Sequence, residues 1–498
     1  MADGAGSDTQ KISVLALTAM VVGSMIGAGI FNLPARFGTA TGPFGAIIAW
    51  AIAGTGMYML ARVFQALAEK KPEIDAGVFA YAKAGFGDYM GFLSAFGYWL
   101  GSCLGNVFYW VLIGTTLGFF FPVFGEGNTA IAIAVSLIGI WSFHFMILRG
   151  AEQAAAVNFI VTIAKIVPIL VALLAMLVAF RWELFRENFW GGTGMPEKTL
   201  VAQVRDTMLI TVFVFLGIEG ASVYSRFART RADVGTATIL GFVAVTGLMV
   251  AVTLLPYAVM PRAEVAALSQ PSLAGALEAA AGPWGAWFIR IGVLVSVLGA
   301  YLAWSLICAE VLFAAAKSGD MPRLFAATNA NRVPASALWL TNIVVSGFVI
   351  STYWSTDAFN FMLDMTSVTT LFPYLMVAGY GVLVARRGEG GTAGGADLAI
   401  SWIAVFYVLL MFVAAGLEFV LLTAVLYAPG TILYVWARRE QGAALFNQRE
   451  VMAFAVVAIG ALVGLAGLVY NRLEPADAIV HSGDVVNYGE LPATTPSD

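Results

Sequence analysis

Apolar residues run in blocks of about twenty or more along this chain, separated by shorter polar stretches that carry most of its charge. A helix needs about 20 apolar residues to cross a bilayer. By that measure the blocks near 12–37, 44–68, 88–121, 129–148, 152–180, 204–228 and 235–259 read as membrane-spanning helices. So do those near 282–317, 336–353, 357–385, 399–418, 419–438 and 451–470. The pattern predicts an all-α integral membrane protein of about 13 transmembrane helices. The membrane domain covers 11–470, between an N-terminal tail at 1–10 and an acidic tail at 471–498. The least sharply bounded division is near Gly416–Glu418, where one long apolar run must be split in two. Asp75–Gly87 is too short and polar to span and reads as a helix lying at a membrane surface. Gly319–Pro334 reads as a compact loop, and Gly388–Gly395 as a glycine-rich linker.

The first block has an interruption of its own. Val22–Pro34, VGSMIGAGIFNLP, sets Gly23, Gly27 and Gly29 within seven residues and closes on Pro34. Each glycine costs a helix up to about 1 kcal/mol against alanine, so the helix is inclined to break there. Within a bilayer a break is tolerated only where its freed N–H and C=O groups meet protein, water or a ligand. Such glycines can also serve only to let two helices pack closely. The sixth block repeats the feature in Phe215–Ser222, FLGIEGAS. Interrupted helices at corresponding positions of two halves point to a transport site near the midplane. Counted in spans, the two breaks lie five apart, and an odd number per half requires the second half to be inverted.

Composition agrees. Of 498 residues, 60% are hydrophobic and 11% charged, against about 25% charged in soluble domains. With the N-terminus inside, inner segments hold sixteen Lys and Arg and outer segments seven. That bias predicts a cytoplasmic N-terminus and an outer C-terminal tail. The opening MADGAGSDTQK lacks the features of a cleaved signal peptide, so the first helix is expected to stay in the mature protein. Cys103 and Cys308 have no CxxC partner, and no disulfide framework, metal site or cofactor is expected.

Charges at membrane depth are costly and each is a candidate for function. Lys165 lies mid-span in TIAKIVPIL, and Glu219 sits inside the second break. Glu310 reads as a carboxylate near a helix end; Asp364 falls early in the tenth span with either role open. Trp304, Asn106 and Tyr109 are mid-span groups able to contact a ligand or to pack, and His144 reads as structural. Phosphate-loop, HExxH and GxSxG patterns are missing, and no basic tract suits nucleic acid. Nothing here predicts an enzyme.

GSMIGAGIFNLP, FLGIEGAS and GDMPRLFAATNANRVPASAL together resemble the amino acid–polyamine–organocation transporters. KPEIDAGVFAYAKAGFGDYMGF and FFPVFGEGNT resemble the basic amino acid antiporters within them, closest to arginine–ornithine exchangers. The likeness runs from Lys11 to Tyr470. It implies a five-plus-five inverted repeat with spans one and six unwound, in a cytoplasmic membrane, and a defined substrate cradle. In that cradle, formed over Met25, Ile26, Gly27, Ala28 and Gly29, a substrate carboxylate faces the N–H groups near Ala28 and Gly29. Its α-ammonium meets carbonyls near Met25, Phe213 and Leu216. Asn106 and Tyr109 flank the side-chain pocket, with Glu219 nearby, and Trp304 covers the cationic end. Lys165 is implied to be a built-in cation standing where sodium-coupled carriers hold an ion. Two positions depart from the arginine–agmatine exchangers: Ala28 replaces a serine, and Phe213 replaces a tryptophan. The function implied is exchange of cationic amino acids, arginine for ornithine, with proton-coupled uptake as the alternative and a homodimer as one form of assembly. A membrane sensor or an intramembrane enzyme is disfavoured by the lack of a signalling domain and of a nucleophile–base pair.

Overall fold

The computed structural model describes residues 13–74, 78–150, 154–195, 198–218, 231–355, 357–389 and 395–470. Its principal helices begin with α1 (Val14–Met25), α2 (Leu33–Ala40), α3 (Pro43–Lys70), α4 (Val78–Phe86) and α5 (Asp88–Phe120). They continue with α6 (Ala130–Leu148), α7 (Ala154–Val178), α8 (Met208–Val214), α9 (Arg231–Leu254) and α10 (Pro283–Lys317). The last four are α11 (Ala335–Ser351), α12 (Ala358–Arg387), α13 (Gly395–Glu440) and α14 (Gln448–Val469). No strand occurs among the described residues.

Nine of the described helices are long and apolar enough to cross a membrane. A tenth span is added if the bent pair Ala164–Val178 and Trp182–Asn188, which turn by 102° at their junction, counts as one. The chain is a multi-pass membrane protein. The number falls short of the thirteen read from the sequence for definite reasons. The first apolar block is divided into α1 and α2, of 12 and 8 residues, and the described part of the sixth ends in the 7-residue α8. The blocks at 399–418 and 419–438 lie in one 46-residue element, α13, which leaves helical geometry at Gly416 (φ 81°, ψ 160°). A straight helix of that length would extend about 69 Å, more than twice the roughly 30 Å hydrocarbon core.

Burial separates a centre from a rim. In the most apolar window of α5, 78% of residues are buried, and in that of α12, 72%, against 11% in α14. The first two therefore run through the middle of the bundle, packed on each other, while α14 leans on α13 and turns its apolar residues outward. The α3 helix packs against α13 and α9, and α10 lies between α5 and α7.

The segment read as a surface helix is helical from Val78, although 75–77 lie outside the described residues. α4 packs on α5 and α12 with Phe79 and Tyr81 buried. Its Lys83 Nζ donates to Asp320 Oδ1 at 2.8 Å and to the Ser318 carbonyl at 3.0 Å, tying it to the loop after α10. The loop is held further by the Arg323 N–H, which donates to Glu440 at 2.8 Å. The tails at 1–10 and 471–498, and most of the linker within Gly388–Gly395, lie outside the described residues.

Candidate functional site

The two interrupted helices meet. α1 ends at Met25, Gly27 is extended (φ −99°, ψ −171°), and a tight helical turn at Ala28–Asn32 leads into α2. α8 ends at Val214 and passes into turns through Ile218, with Gly217 at φ 99°, a conformation glycine adopts without a steric penalty. The contact between the breaks depends on Gly29. A Cβ there would stand 2.7 Å from Phe213 Cδ1 and 2.8 Å from Val214 Cγ1, so only hydrogen fits.

A cavity of about 500 Å³, its mouth included, opens at this junction. Met25, Gly27 and Gly29 line it from the first break, and Phe213, Val214 and Leu216 from the second. α5 contributes Tyr98, Ser102, Gly105 and Tyr109, at spacings of four, three and four that keep them on one helical face. Trp304 of α10 and Thr366 and Thr370 of α12 complete the wall. No lining residue among those described is charged.

The chemistry of the wall has a direction. Ser102 Oγ donates to the Tyr98 carbonyl at 2.8 Å, Thr366 Oγ1 to the Met362 carbonyl at 2.7 Å, and Thr370 Oγ1 to the Ser367 carbonyl at 2.8 Å. With their protons committed to backbone, these hydroxyls offer lone pairs to the cavity. Aromatic faces stand beside them. Ala28 and Gly29, in turn, open a helical turn whose first N–H groups have no intrahelical acceptor. The wall thus presents acceptors and π faces for a cation, and a helix start for an anion.

The remaining residues singled out in the sequence fall elsewhere. Ile26 and Ala28 are each 1% exposed and do not line the cavity. Asn106 is fully buried and turned toward α10, where its Nδ2 donates to Cys308 Sγ at 3.7 Å. It follows Gly105 by one residue and so points about 100° away from the lining face. Glu219 lies outside the described residues. Lys165 is 9% exposed on α7 and makes no hydrogen bond or ion pair among the described residues. Asp364 is ion-paired with Arg36 of α2, Glu310 is exposed, and His144 Nδ1 meets Asn342 Nδ2 at 2.9 Å. Tyr98, Ser102, Val214, Thr366 and Thr370 also line the cavity and were not singled out in the sequence; the spacing along α5 groups Tyr98 and Ser102 on one face without showing that the face lines a cavity.

The sequence profile described as "Amino acid permease" matches residues 12–437. The chain belongs to the amino acid permease family. This permease is 47% identical over 470 residues to an arginine/ornithine antiporter of Pseudomonas aeruginosa, a match spanning 92% of this chain and 98% of the relative. It is 40% identical over 493 residues to an L-lysine transport protein of Corynebacterium glutamicum, covering 94% and 97%. An arginine/agmatine antiporter of Chlamydia abortus is 35% identical over 473 residues, covering 92% and 97%. The permease is accordingly a transporter and not an enzyme.

Proposed function

We propose that this permease exchanges a cationic amino acid for a related cationic metabolite, arginine for ornithine first, by alternating access. The observation that carries the reading is the uncharged wall of backbone-committed hydroxyls and aromatic rings where the two breaks meet. Ser102, Thr366 and Thr370 have given their protons to backbone, and Tyr109, Phe213 and Trp304 offer π faces, beside a helix start suited to a carboxylate. An ammonium or guanidinium is a donor with no acceptor capacity, which is the complement of such a wall. The substrate's α-carboxylate docks on the N–H groups near Ala28 and Gly29, and its ammonium on carbonyls near Met25, Phe213 and Leu216. Trp304 covers the cationic end, Tyr109 flanks it, Asn106 acts from the neighbouring face of α5, and Glu219, outside the described residues, is a further contact. The names of the relatives, antiporters of arginine with ornithine or agmatine, support the same substrate class.

The architecture that goes with this function is about thirteen spans, the first ten arranged as two inverted halves of five. The paired breaks, five spans apart, support it. The protein sits in the cytoplasmic membrane with its N-terminus inside and its C-terminal tail outside, as the Lys and Arg bias favours, and two copies can associate. The experiment is equilibrium binding of labelled arginine to the purified protein. Competition by ornithine and lysine but not by glutamate supports the assignment; equal competition by glutamate, or no arginine binding, contradicts it.

A further inference from the structure

A second recess lies away from the two helix breaks, where α3, α12 and the start of α13 meet. It encloses about 570 Å³, its open mouth included, and Arg62, Gln65, Glu69, Lys70, Asp397 and Ser401 supply its polar groups. Two of these neutralise each other: Lys70 Nζ is 2.6 Å from Asp397 Oδ2. The others are underused. Arg62 has no carboxylate partner among the described residues, and its Nη1 reaches only the Tyr58 hydroxyl, at 3.4 Å. Gln65 donates through Nε2 to Glu69 Oε1 at 3.1 Å, while its own Oε1 is buried with no donor among the described residues. Residues 390–394, which follow α12 and precede α13, are Gly, Gly, Thr, Ala and Gly and bring no carboxylate to Arg62.

The spare capacity has both signs in a fixed order. One cation, Arg62, is followed three residues later by a free carbonyl oxygen and four after that by a carboxylate, all within two turns of one face of α3. An anion on Arg62 with a primary ammonium one turn further along satisfies every group at once. Depth selects the source. Arg62 is eight residues, or about 12 Å, from the end of α3 at Lys70. A 28-residue helix, near 42 Å long, exceeds the roughly 30 Å hydrocarbon core by about that amount. Residues 43–61 of α3 carry no charge and Arg62, Glu69 and Lys70 follow, which assigns the excess to this end and puts the recess where the headgroup layer meets the hydrocarbon.

We propose that this recess binds the headgroup of a zwitterionic phospholipid bearing a primary amine, phosphatidylethanolamine in chemistry. Its phosphate lies on Arg62 and its ammonium between Gln65 Oε1 and Glu69. The site needs only the membrane setting and stands independently of the exchange reading. The test uses purified, delipidated full-length protein and native mass spectrometry of lipid retention, with no transport step. Phosphatidylethanolamine, phosphatidylcholine and phosphatidylglycerol of matched acyl chains are compared, together with water-soluble glycerophosphoethanolamine. Phosphatidylethanolamine should be retained roughly tenfold better than the other two, since each lost charge-assisted bond is worth about that factor. Glu69→Gln, an exposed and structurally mild change, should erase the preference, and Arg62→Gln should weaken retention of all three lipids. Equal retention of the three, a preference for phosphatidylglycerol, or a preference unmoved by Glu69→Gln overturns the proposal. Binding of glycerophosphoethanolamine as tight as that of the lipid places the ligand in water and overturns it as well.

Discussion

The guanidinium of Arg36, in α2 just past the first helix break, is ion-paired with the carboxylate of Asp364 in α12. Asp364 is 2% exposed and Arg36 14%. The pair joins the segment that follows the first break to the central helix that carries Thr366 and Thr370. Removing one partner of a buried pair leaves the other charge stranded, at a cost of about 3–5 kcal/mol. Asp364→Asn should lower the unfolding temperature clearly, and the double variant Arg36→Gln/Asp364→Asn should recover much of the loss. A double variant as unstable as the sum of the singles would mean that the two charges are not coupled.

Gly27 and Gly29, two residues apart, should respond differently to alanine. A Cβ on Gly27 meets only the Tyr109 hydroxyl, at 3.8 Å, whereas on Gly29 it collides with Phe213 and Val214. Gly27→Ala should therefore fold normally and bind arginine more weakly, because the methyl enters the cavity; Gly27→Val should abolish transport. Gly29→Ala should lose stability and binding together. Thermal unfolding and arginine titration of the variants measure both properties, and identical behaviour of the two alanine variants would refute the distinction.

Trp304 lines the cavity and is half-buried. A desolvated cation–π contact is worth about 2 kcal/mol, which is roughly thirtyfold in affinity. Trp304→Leu should weaken arginine and ornithine alike by about that factor, with Trp304→Phe and Trp304→Tyr in between. If leucine and phenylalanine variants bind equally well, the ring contributes packing alone.

Lys165 is a buried amine with no hydrogen-bond or ion-pair partner among the described residues. A charge so placed suits a carrier that uses a fixed or titrating cation where others use sodium. Transport should continue when choline replaces sodium, and Lys165→Ala should lose most activity while still reaching the membrane. Full activity of Lys165→Ala, or wild-type transport that stops without sodium, would contradict this role.

Asp320 gives a pH dependence whose sign can be worked out. Burial pushes its carboxyl up to about 6 from 3.8, against the opposing pull of Lys83. Between those values the folded protein holds a proton that the unfolded chain has released. Stability from this group is therefore greatest below about pH 4, declines as pH rises to about 6, and is level above. The full excursion is roughly 3 kcal/mol. Asp320→Asn should flatten that interval when unfolding is followed at pH 4.5 and 7; parallel profiles of the two proteins would exclude Asp320 as the source.

Much of this was legible in the sequence, and for physical reasons. Glycine clusters at Gly27–Gly29 and around Gly217 mark where a helix stops, because the cost of glycine in a helix is local and does not depend on tertiary neighbours. The division near Gly416 was legible from length alone. What escaped was the identity of the wall. Ser102, Thr366 and Thr370 bond to their own helix carbonyls, as such residues do in any membrane helix, so nothing in the sequence separates a lining hydroxyl from a packed one. Asn106 shows the converse: a rare intramembrane amide that attracts notice, yet faces Cys308 because it is one residue out of phase with the lining face.

The central claim is obligatory exchange of cationic amino acids through this cavity, and counterflow in liposomes measures it most directly. Purified protein is reconstituted with ornithine inside, and uptake of labelled arginine is followed at equal pH on both sides. Rapid uptake that requires internal ornithine, and that Gly29→Ala abolishes, is the predicted result. Uptake into empty liposomes driven by a pH gradient alone, or no uptake under any loading, would contradict it.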